Sequence, residues 1–285
     1  MNDELIITSY VIIDDTMRSL NHRSHQLAKV SDAEVLTVAV VAAKYFHNNH
    51  ERALWVLTQL GYLSQRLSTS RFNRRLHAVA DWLRLTLETL GELFAQGAVF
   101  IIDSMPLPVC RRARARRNRK VRGRDYCGYC AAKKEKFFGW RLHLVCTPEG
   151  LPVSFAIVAG GYHDLTPLHE LTFGLPAGAC VFGDKGYNSA PDEATIFDET
   201  GVRVIPIRRK NMAQHEWADE FDLKQYRKGI ETVNSQLEKM GTQHLHARTN
   251  IGFEVKVHAS LFALTCSNIY YMGATPRSGL AAKVR

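Results

Sequence analysis

The segment AVFIIDSMPLPVC, residues 98–110, marks the point at which the hydrophobic pattern changes from helical to strand-like. The run VFII is typical of a short buried strand, and Asp103 follows it at once. A densely basic block, RRARARRNRK, comes next. Two hypotheses for Asp103 follow. It is either an ion-pair partner of these arginines or a metal ligand whose anionic substrate the arginines bind.

The basic residues are concentrated in one place. Nine of the 37 Lys and Arg residues lie within residues 111–124, which contain no Asp or Glu. The remaining 28 equal the 28 acidic residues in number, so the net charge of +9 comes from this block alone. A concentrated patch indicates a polyanion such as nucleic acid, with a solvated loop as the alternative.

The apolar runs are too short to cross a membrane. The longest, VLTVAVVAA (35–43) and ASLFALTC (259–266), fall below the roughly 18 residues that a bilayer requires. No basic start precedes an apolar core at the N-terminus, so we expect a cytoplasmic protein without a signal peptide. Its six cysteines are then reduced. Cys127 and Cys130 form a CxxC that could be half of a zinc site, but a second pair at similar spacing is missing, which favours ordinary thiols.

Residues 1–96 predict an all-helical domain that binds DNA. The capping box SDAE (31–34) opens a helix that runs to about residue 47, and a second helix is predicted within 50–62. A third is predicted over 68–90, with Arg71, Arg74 and Arg75 in its first turns. This pattern is typical of a helix that contacts DNA, and equally of a helical bundle with solvated arginines.

Residues 97–272 predict an α/β domain. The pattern indicates a strand at 98–103, a hairpin at 139–146 and 151–161, a strand ending at Asp184 and a strand at 202–207. Helices are expected at 189–201, 223–241 and 253–272, with a frayed tail at 273–285. This order predicts a mixed sheet flanked by helices. The basic loop, 111–136, has no regular pattern.

Three carboxylates stand out by position. Asp103 and Asp184 each follow an apolar strand, and open sheets commonly place sites at such strand ends. Glu231 lies in a helix between Ile230 and Val233, beside the stripe expected to face the core. Carboxylate oxygens are the ligands that Mg²⁺ and Mn²⁺ prefer. Salt bridges and turns are the competing explanations, including a pair between Glu231 and Arg227.

The ordered motifs VFIIDS, GGYHD, VFGDKGYNS and YRKGIETVNSQLEK resemble DDE-type transposases of bacterial insertion sequences. The resemblance spans residues 103–272. It implies a ribonuclease-H-like fold, with Asp103, Asp184 and Glu231 as the catalytic residues that coordinate two Mg²⁺ or Mn²⁺ ions. It also implies a structural or supporting role for His163 and Asp164 in GGYHD.

The helical motif carries further family positions. Arg227 matches the Arg placed four residues before the Glu, which in such enzymes contacts transposon-end phosphates. The family's usual Tyr lies three residues before that Arg, whereas Tyr226 is adjacent to it. The family's Lys, seven residues after the Glu, falls on Glu238, and Lys239 is one residue further along.

The resemblance implies a transposase that binds the terminal inverted repeats of an insertion sequence, cleaves DNA and transfers the 3′-OH strand into target DNA. Double-stranded DNA and a second copy of the chain, in a homodimer, are the implied partners. A metal-dependent endonuclease without strand transfer and a non-catalytic DNA-binding protein are the alternatives. The predicted DNA-binding residues are Arg227, Lys239, Tyr226, Lys185, Arg71, Arg74, Arg75, Arg111, Arg112, Arg114, Arg116, Arg117, Arg119 and Lys120.

Overall fold

A computed structural model describes residues 1–118, 121–131, 133–209, 212, 215 and 217–274. Within these residues the chain forms helices, six strands and short 3-10 helices. The helices are α1 (Asp3–Ser19), α2 (Asp32–Phe46), α3 (His50–Gln59), α4 (Thr69–Ala78), α5 (Ala80–Phe94), α6 (Leu168–Phe173), α7 (Ala190–Thr200), α8 (Trp217–Lys239) and α9 (Asn250–Ala274). The strands are β1 (Val99–Arg111), β2 (Cys127–Cys130), β3 (Glu135–Cys146), β4 (Pro152–Ala159), β5 (Cys180–Gly183) and β6 (Arg203–Pro206).

Helices α2, α3 and α4 begin where the sequence predicts. Ser31 and Glu34 form the reciprocal capping box of α2, which ends at His47 in a left-handed conformation. The single helix predicted over 68–90 is wrong, because Val79 leaves the helical region at φ −115° and ψ 16°. This residue separates α4 from α5, and its buried side chain packs into the core.

The sheet is mixed and has the order β2-β3-β1-β5-β6, with β4 also paired to β3. The antiparallel pairs are β1–β3, β2–β3 and β3–β4, while β1–β5 and β5–β6 are parallel. Helices flank this sheet, as the sequence predicts. Two predicted boundaries are wrong. The strand predicted to end at Asp103 continues to Arg111, and the segment predicted as a loop over 111–136 contains β2 and the start of β3.

The core runs from the N-terminal helices into the sheet. One cluster of buried side chains joins α1–α5 with α8, α9 and one face of β1 and β3. Phe262 and Leu261 on α9 are fully buried in it. A second cluster, around Phe100 and Val181, fills the opposite face beneath α6 and α7. The division of the chain into domains at residue 96 stays a prediction.

The last helix extends beyond its predicted end. Gly273 and Ala274, predicted to begin a frayed tail, belong to α9, and residues 275–285 lie outside the described residues. None of the described helices combines the length and apolar character that a bilayer-spanning segment requires.

Candidate active site

Strand register brings Asp103 and Asp184 together. In the parallel pair β1–β5, Ile102 is opposite Gly183, so the next residues of the two strands are neighbours about one strand spacing apart. β5 ends there, while β1 continues along β3. Asp103 therefore lies within its strand and not at its end, and the sheet opens beside it because β5 has stopped.

Glu231 reaches the same cleft from α8. Ile230 and Val233 are buried, as predicted, and fix the face that α8 turns toward the sheet. A cleft of about 660 Å³ is lined by all three carboxylates together with side chains of β2, β3 and the segment after β4. The fold thus collects residues that lie 47 or more positions apart in the sequence.

The Asp103 carboxylate is held on both oxygens. Its Oδ1 accepts from the Ser104 N–H at 2.7 Å, and its Oδ2 accepts from Asn234 Nδ2 at 2.8 Å. Burial raises the pKa of Asp103 to about 6, and the negative charges of Asp184 and Asp164 act in the same direction, while the two hydrogen bonds oppose them. A cation in the cleft would relieve this repulsion. Asn234, one turn beyond Glu231, was not predicted from the sequence.

Asp184 and Glu231 have different surroundings. Asp184 is exposed, and its Oδ1 accepts from the Lys185 N–H at 2.6 Å at the start of the short 3-10 helix Lys185–Tyr187. Glu231 accepts from Arg227 Nε at 2.9 Å in an exposed pair. The hydrogen bond with Glu231 raises the pKa of Arg227, and the charges of Asp184 and Asp103 reinforce it. One guanidinium therefore counters all three carboxylates.

A partly buried polar network in the same cleft lies beside the two aspartates. Asp164 Oδ1 accepts from Arg141 Nη1 at 3.1 Å and from Ser104 Oγ at 3.2 Å. A Cβ on Gly186 would lie 2.3 Å from Asp164 Oδ2, so only glycine allows the carboxylate this approach. Asp164 therefore ties the residue after Asp103 to the turn after Asp184.

Two further side chains complete this network. His143 Nδ1 and Tyr187 Oη are 3.0 Å apart, and both side chains are buried. Burial lowers the pKa of His143 to about 4, so the imidazole is neutral near pH 7. That these two residues meet was not predicted from the sequence, although GGYHD and GDKGY stood out as motifs.

The comparisons with known proteins decide the family. A family model described as a transposase DDE domain matches residues 94–250, which include all three carboxylates. The chain belongs to the DDE transposase family. Comparisons with curated proteins and with solved structures yielded no match.

The basic block of this transposase lies away from Asp103. Arg111 ends β1, and Arg112, Arg114, Arg116 and Arg117 lie in an exposed 3-10 helix. Arg111 is eight positions after Asp103 along β1, which corresponds to roughly 26 Å. None of these five arginines forms an ion pair within the described residues, and Asp103 bonds to Ser104 and Asn234 instead. Arg119 and Lys120 lie outside the described residues.

The remaining predicted DNA contacts differ in exposure. Arg71, Arg74, Lys185 and Lys239 are exposed. Arg75 donates to the Val30 carbonyl at 2.6 Å and to the Asp32 carboxylate, so it fastens α4 to the start of α2. That Arg75 contacts DNA stays a prediction. Tyr226 stacks on Phe182 with ring centroids 5.4 Å apart and is partly buried.

Position 238 shows how this chain departs from the family pattern. Glu238 stands where the family has a lysine, and Lys133 Nζ, from the turn between β2 and β3, donates to Glu238 Oε1 at 3.1 Å. Lys133 also donates to Gln243 Oε1 at 2.6 Å. The ammonium of Lys133 thus lies beside Glu238 in the cleft, and it comes from the β2–β3 turn instead of from α8.

Within the described part of the chain, the cysteines and acidic residues do not form a preorganised metal-binding site. Cys127 and Cys130 are unpaired thiols three residues apart on β2, where alternation places them on opposite faces. Among the described residues, no group of three or more His, Cys, Asp or Glu is arranged to hold a metal ion. In the cleft, Glu231 is engaged by Arg227.

Proposed function

We propose that this protein is the transposase of an insertion sequence, which binds the terminal inverted repeats, cleaves DNA at the element's ends and joins the 3′-OH to target DNA. Water attacks the phosphodiester at the element's end, and the bond to the flanking nucleotide breaks to leave a 3′-OH. That hydroxyl then attacks a target phosphodiester in a second in-line displacement. Both steps exchange one ester oxygen on phosphorus, so the same site serves both.

The observation that carries this proposal is the shared cleft of Asp103, Asp184 and Glu231. Two aspartates on adjacent parallel strands, with a glutamate approaching from a helix across the sheet, support a ribonuclease-H-like arrangement for residues 97–272. The family match covers this whole unit up to residue 250.

The donor set fits divalent cations. Asp103 is partly buried and repelled by Asp184 and Asp164, an arrangement that a bound cation stabilises. Asp103 and Asp184 would hold two Mg²⁺ or Mn²⁺ ions, and Glu231 would complete the set once it leaves Arg227. When bound, such a pair activates the attacking oxygen and stabilises the leaving oxygen. Asn234 keeps the Asp103 carboxylate oriented throughout.

The cations around the cleft would hold the DNA backbone. Arg227, released from Glu231, would bind a phosphate near the cleaved bond, and the exposed Lys185 and Lys239 would be further contacts. The exposed arginines at 111–117 and Arg71 and Arg74 would bind phosphates farther along the duplex, which positions the DNA without reading its sequence. Tyr226 would contribute through its partly exposed edge.

Transposition joins two ends, so we propose a homodimer as the minimal active assembly, acting in the cytoplasm where bacterial DNA lies. Incubation of the protein with labelled inverted-repeat ends, Mg²⁺ and a target plasmid tests the function directly. A joined product supports the transposase. Cleavage without joining would indicate an endonuclease, and a mobility shift without cleavage would indicate a DNA-binding protein.

A further inference from the structure

A second cleft, of about 500 Å³, lies along β1 next to the cleft of the three carboxylates, which we call the carboxylate cleft. Residues 103–106 of β1 line the carboxylate cleft, and residues 106 and 108–111 line the second cleft, which we call the edge groove. The walls of the two clefts share Pro106, Cys130, Lys133 and Gln243. The edge groove therefore adjoins the carboxylate cleft along one strand.

The far end of the edge groove lies at the basic block. Arg111 lines the groove and is the last residue of β1, and the exposed 3-10 helix Arg112–Arg117 follows at once. The two clefts together thus span the roughly 26 Å of β1 between Asp103 and Arg111. At about 3.4 Å per nucleotide of one strand, this length corresponds to about seven or eight nucleotides of B-form DNA.

The charge of the groove wall is complementary to phosphate. Arg111, Lys133 and Lys136 line it, and Glu135 is the single acid among the described residues of the wall. Arg111 and Lys136 are exposed, and neither forms an ion pair in the part of the chain that the structure describes. Exposed lysine and arginine side chains supply most of the sequence-independent attraction of a protein for DNA.

Two prolines in the wall disfavour a protein strand as the occupant. β5 pairs with β1 only over residues 99–102, so β1 has no parallel partner along the groove. A strand added there would need N–H donors from β1, and Pro106 and Pro108 have none. A sugar–phosphate backbone requires no such ladder of hydrogen bonds, so the wall suits a nucleic acid better than a peptide.

Lys133 lies at the junction of the two clefts. Its Nζ donates to Glu238 Oε1 at 3.1 Å and to Gln243 Oε1 at 2.6 Å. The side chains of Lys133 and Glu238 are 44% and 41% exposed, and an ion pair with such exposure contributes little to stability. The ammonium can therefore exchange Glu238 for a phosphate at small cost.

We propose that the edge groove carries one strand of the DNA from the carboxylate cleft to the arginines of residues 111–117. The phosphates of this strand bind Lys133 at the junction, and then Lys136 and Arg111 toward the far end. A volume of about 500 Å³ is in the range of a small-ligand pocket, so the groove holds the backbone of one strand while the rest of the duplex stays outside. The proposal rests on the proposed function in taking DNA as the occupant.

Native thiols allow the path of the strand to be tested. Cys130 lines both clefts, Cys110 lines the edge groove alone, and Cys180 on β5 lines neither, although all three have intermediate exposure. The probe is a duplex that contains one inverted-repeat end and its flanking DNA, in EDTA so that no cleavage occurs. At about ten times its Kd, this duplex should slow the alkylation of Cys110 and Cys130 by N-ethylmaleimide about tenfold, because the unbound protein alone reacts. Cys180 is the matched control and should react at an unchanged rate, as measured by mass spectrometry of the peptides.

Lys136→Gln provides the second arm. Loss of one phosphate contact should weaken duplex binding and reduce the slope of log K against log salt concentration by about 1. Lys134→Gln is the matched control, since Lys134 is exposed two residues earlier and lines neither cleft, and it should leave the slope unchanged. Both variants should melt as the wild type does, because each replaces an exposed side chain. Binding is measured by fluorescence anisotropy in EDTA.

The outcomes separate this proposal from the proposed function. Protection of Cys130 without Cys110 would overturn the path, because the strand would then leave the carboxylate cleft in another direction. Protection of Cys110 that rises with protein concentration in the absence of DNA would also overturn it, since a second copy of the chain would then cover the groove. If Cys110 does not react in the free protein, the salt slopes decide, and equal slopes for Lys136→Gln and Lys134→Gln would contradict the proposal. If both arms succeed and the wild type cleaves no DNA, only the proposed function fails.

Discussion

Arg227 and Glu231 form an exposed ion pair one helical turn apart, with Nε and Oε1 separated by 2.9 Å, at the rim of the cleft that contains Asp103 and Asp184. Such a pair contributes little to stability because both groups stay hydrated. The two side chains are therefore free to exchange partners at small cost. In the proposed function, the Arg227 guanidinium binds a DNA phosphate and the Glu231 carboxylate binds divalent cations.

Replacement of Arg227 by Gln should weaken binding of element ends and lower cleavage, with little change in stability. We expect the salt slope of binding to fall by about 1, because one phosphate contact is lost. Arg203→Gln is a matched control, since Arg203 also forms an exposed ion pair, with Asp219 at 3.1 Å, outside the cleft. A salt slope that Arg227→Gln leaves unchanged would remove this residue from the DNA interface.

Asp103→Asn, Asp184→Asn and Glu231→Gln should each abolish cleavage while DNA binding survives. The loss should reach several orders of magnitude, because each carboxylate serves the transition state and not the bound duplex. Asp198→Asn, on the exposed face of α7, should cleave normally. Cleavage is followed on labelled ends in Mg²⁺, and binding by mobility shift in its absence. Near-normal cleavage by any one variant would exclude that residue from the site.

Asp103→Asn carries a second expectation. Burial and negative neighbours raise the pKa of Asp103, so its charged form is unfavourable in the folded protein. The neutral amide should therefore unfold at an equal or higher temperature than the wild type near pH 7. A large drop in melting temperature would indicate that the charged Asp103 stabilises the folded protein through its hydrogen bonds with Asn234 and Ser104.

The sequence predicted the carboxylates and strands of the site but not how β1 continues. VFII followed by Asp103 indicates a strand, while Pro106 and Pro108 suggest that it stops there. The strand continues because β3 pairs with it as far as Arg111. Its prolines are tolerated because β5 pairs only with residues 99–102, which leaves the other edge of β1 open beyond that point. The meeting of Asp164 with Gly186 was unpredictable, since it depends on how the segment after β4 packs on the turn after β5.

Asp164 and Gly186 should behave as one unit. Asp164→Ala removes the partner of Arg141 and the support of Ser104, and should cost about 2 kcal/mol of unfolding free energy. Gly186→Ala should displace the same carboxylate, because its Cβ would lie 2.3 Å from Asp164 Oδ2. Both should lower cleavage while DNA binding persists.

The double variant tests this coupling. Since both substitutions disrupt one contact, the combined loss of unfolding free energy in urea should be smaller than the sum of the single losses. Gly174→Ala serves as a control because a Cβ there would meet nothing within 4 Å. Additive losses would show that the close approach of Asp164 to Gly186 does not determine the stability of the network.

His258 should make stability depend on pH. It is buried on α9 against Phe155 of β4, with ring centroids 5.4 Å apart. Burial lowers its pKa from 6.5 to about 4, and Arg84 adds to this while Asp81 opposes it. Between these two pH values the unfolded chain binds a proton that the folded chain does not. The contribution of His258 to stability is therefore complete above pH 6.5. It is lost as the pH drops toward 4, by up to about 3 kcal/mol. Urea unfolding across this range, with His258→Gln as the comparison, measures the effect: the variant should have a shallower slope, and equal slopes would assign the acid sensitivity to other buried groups.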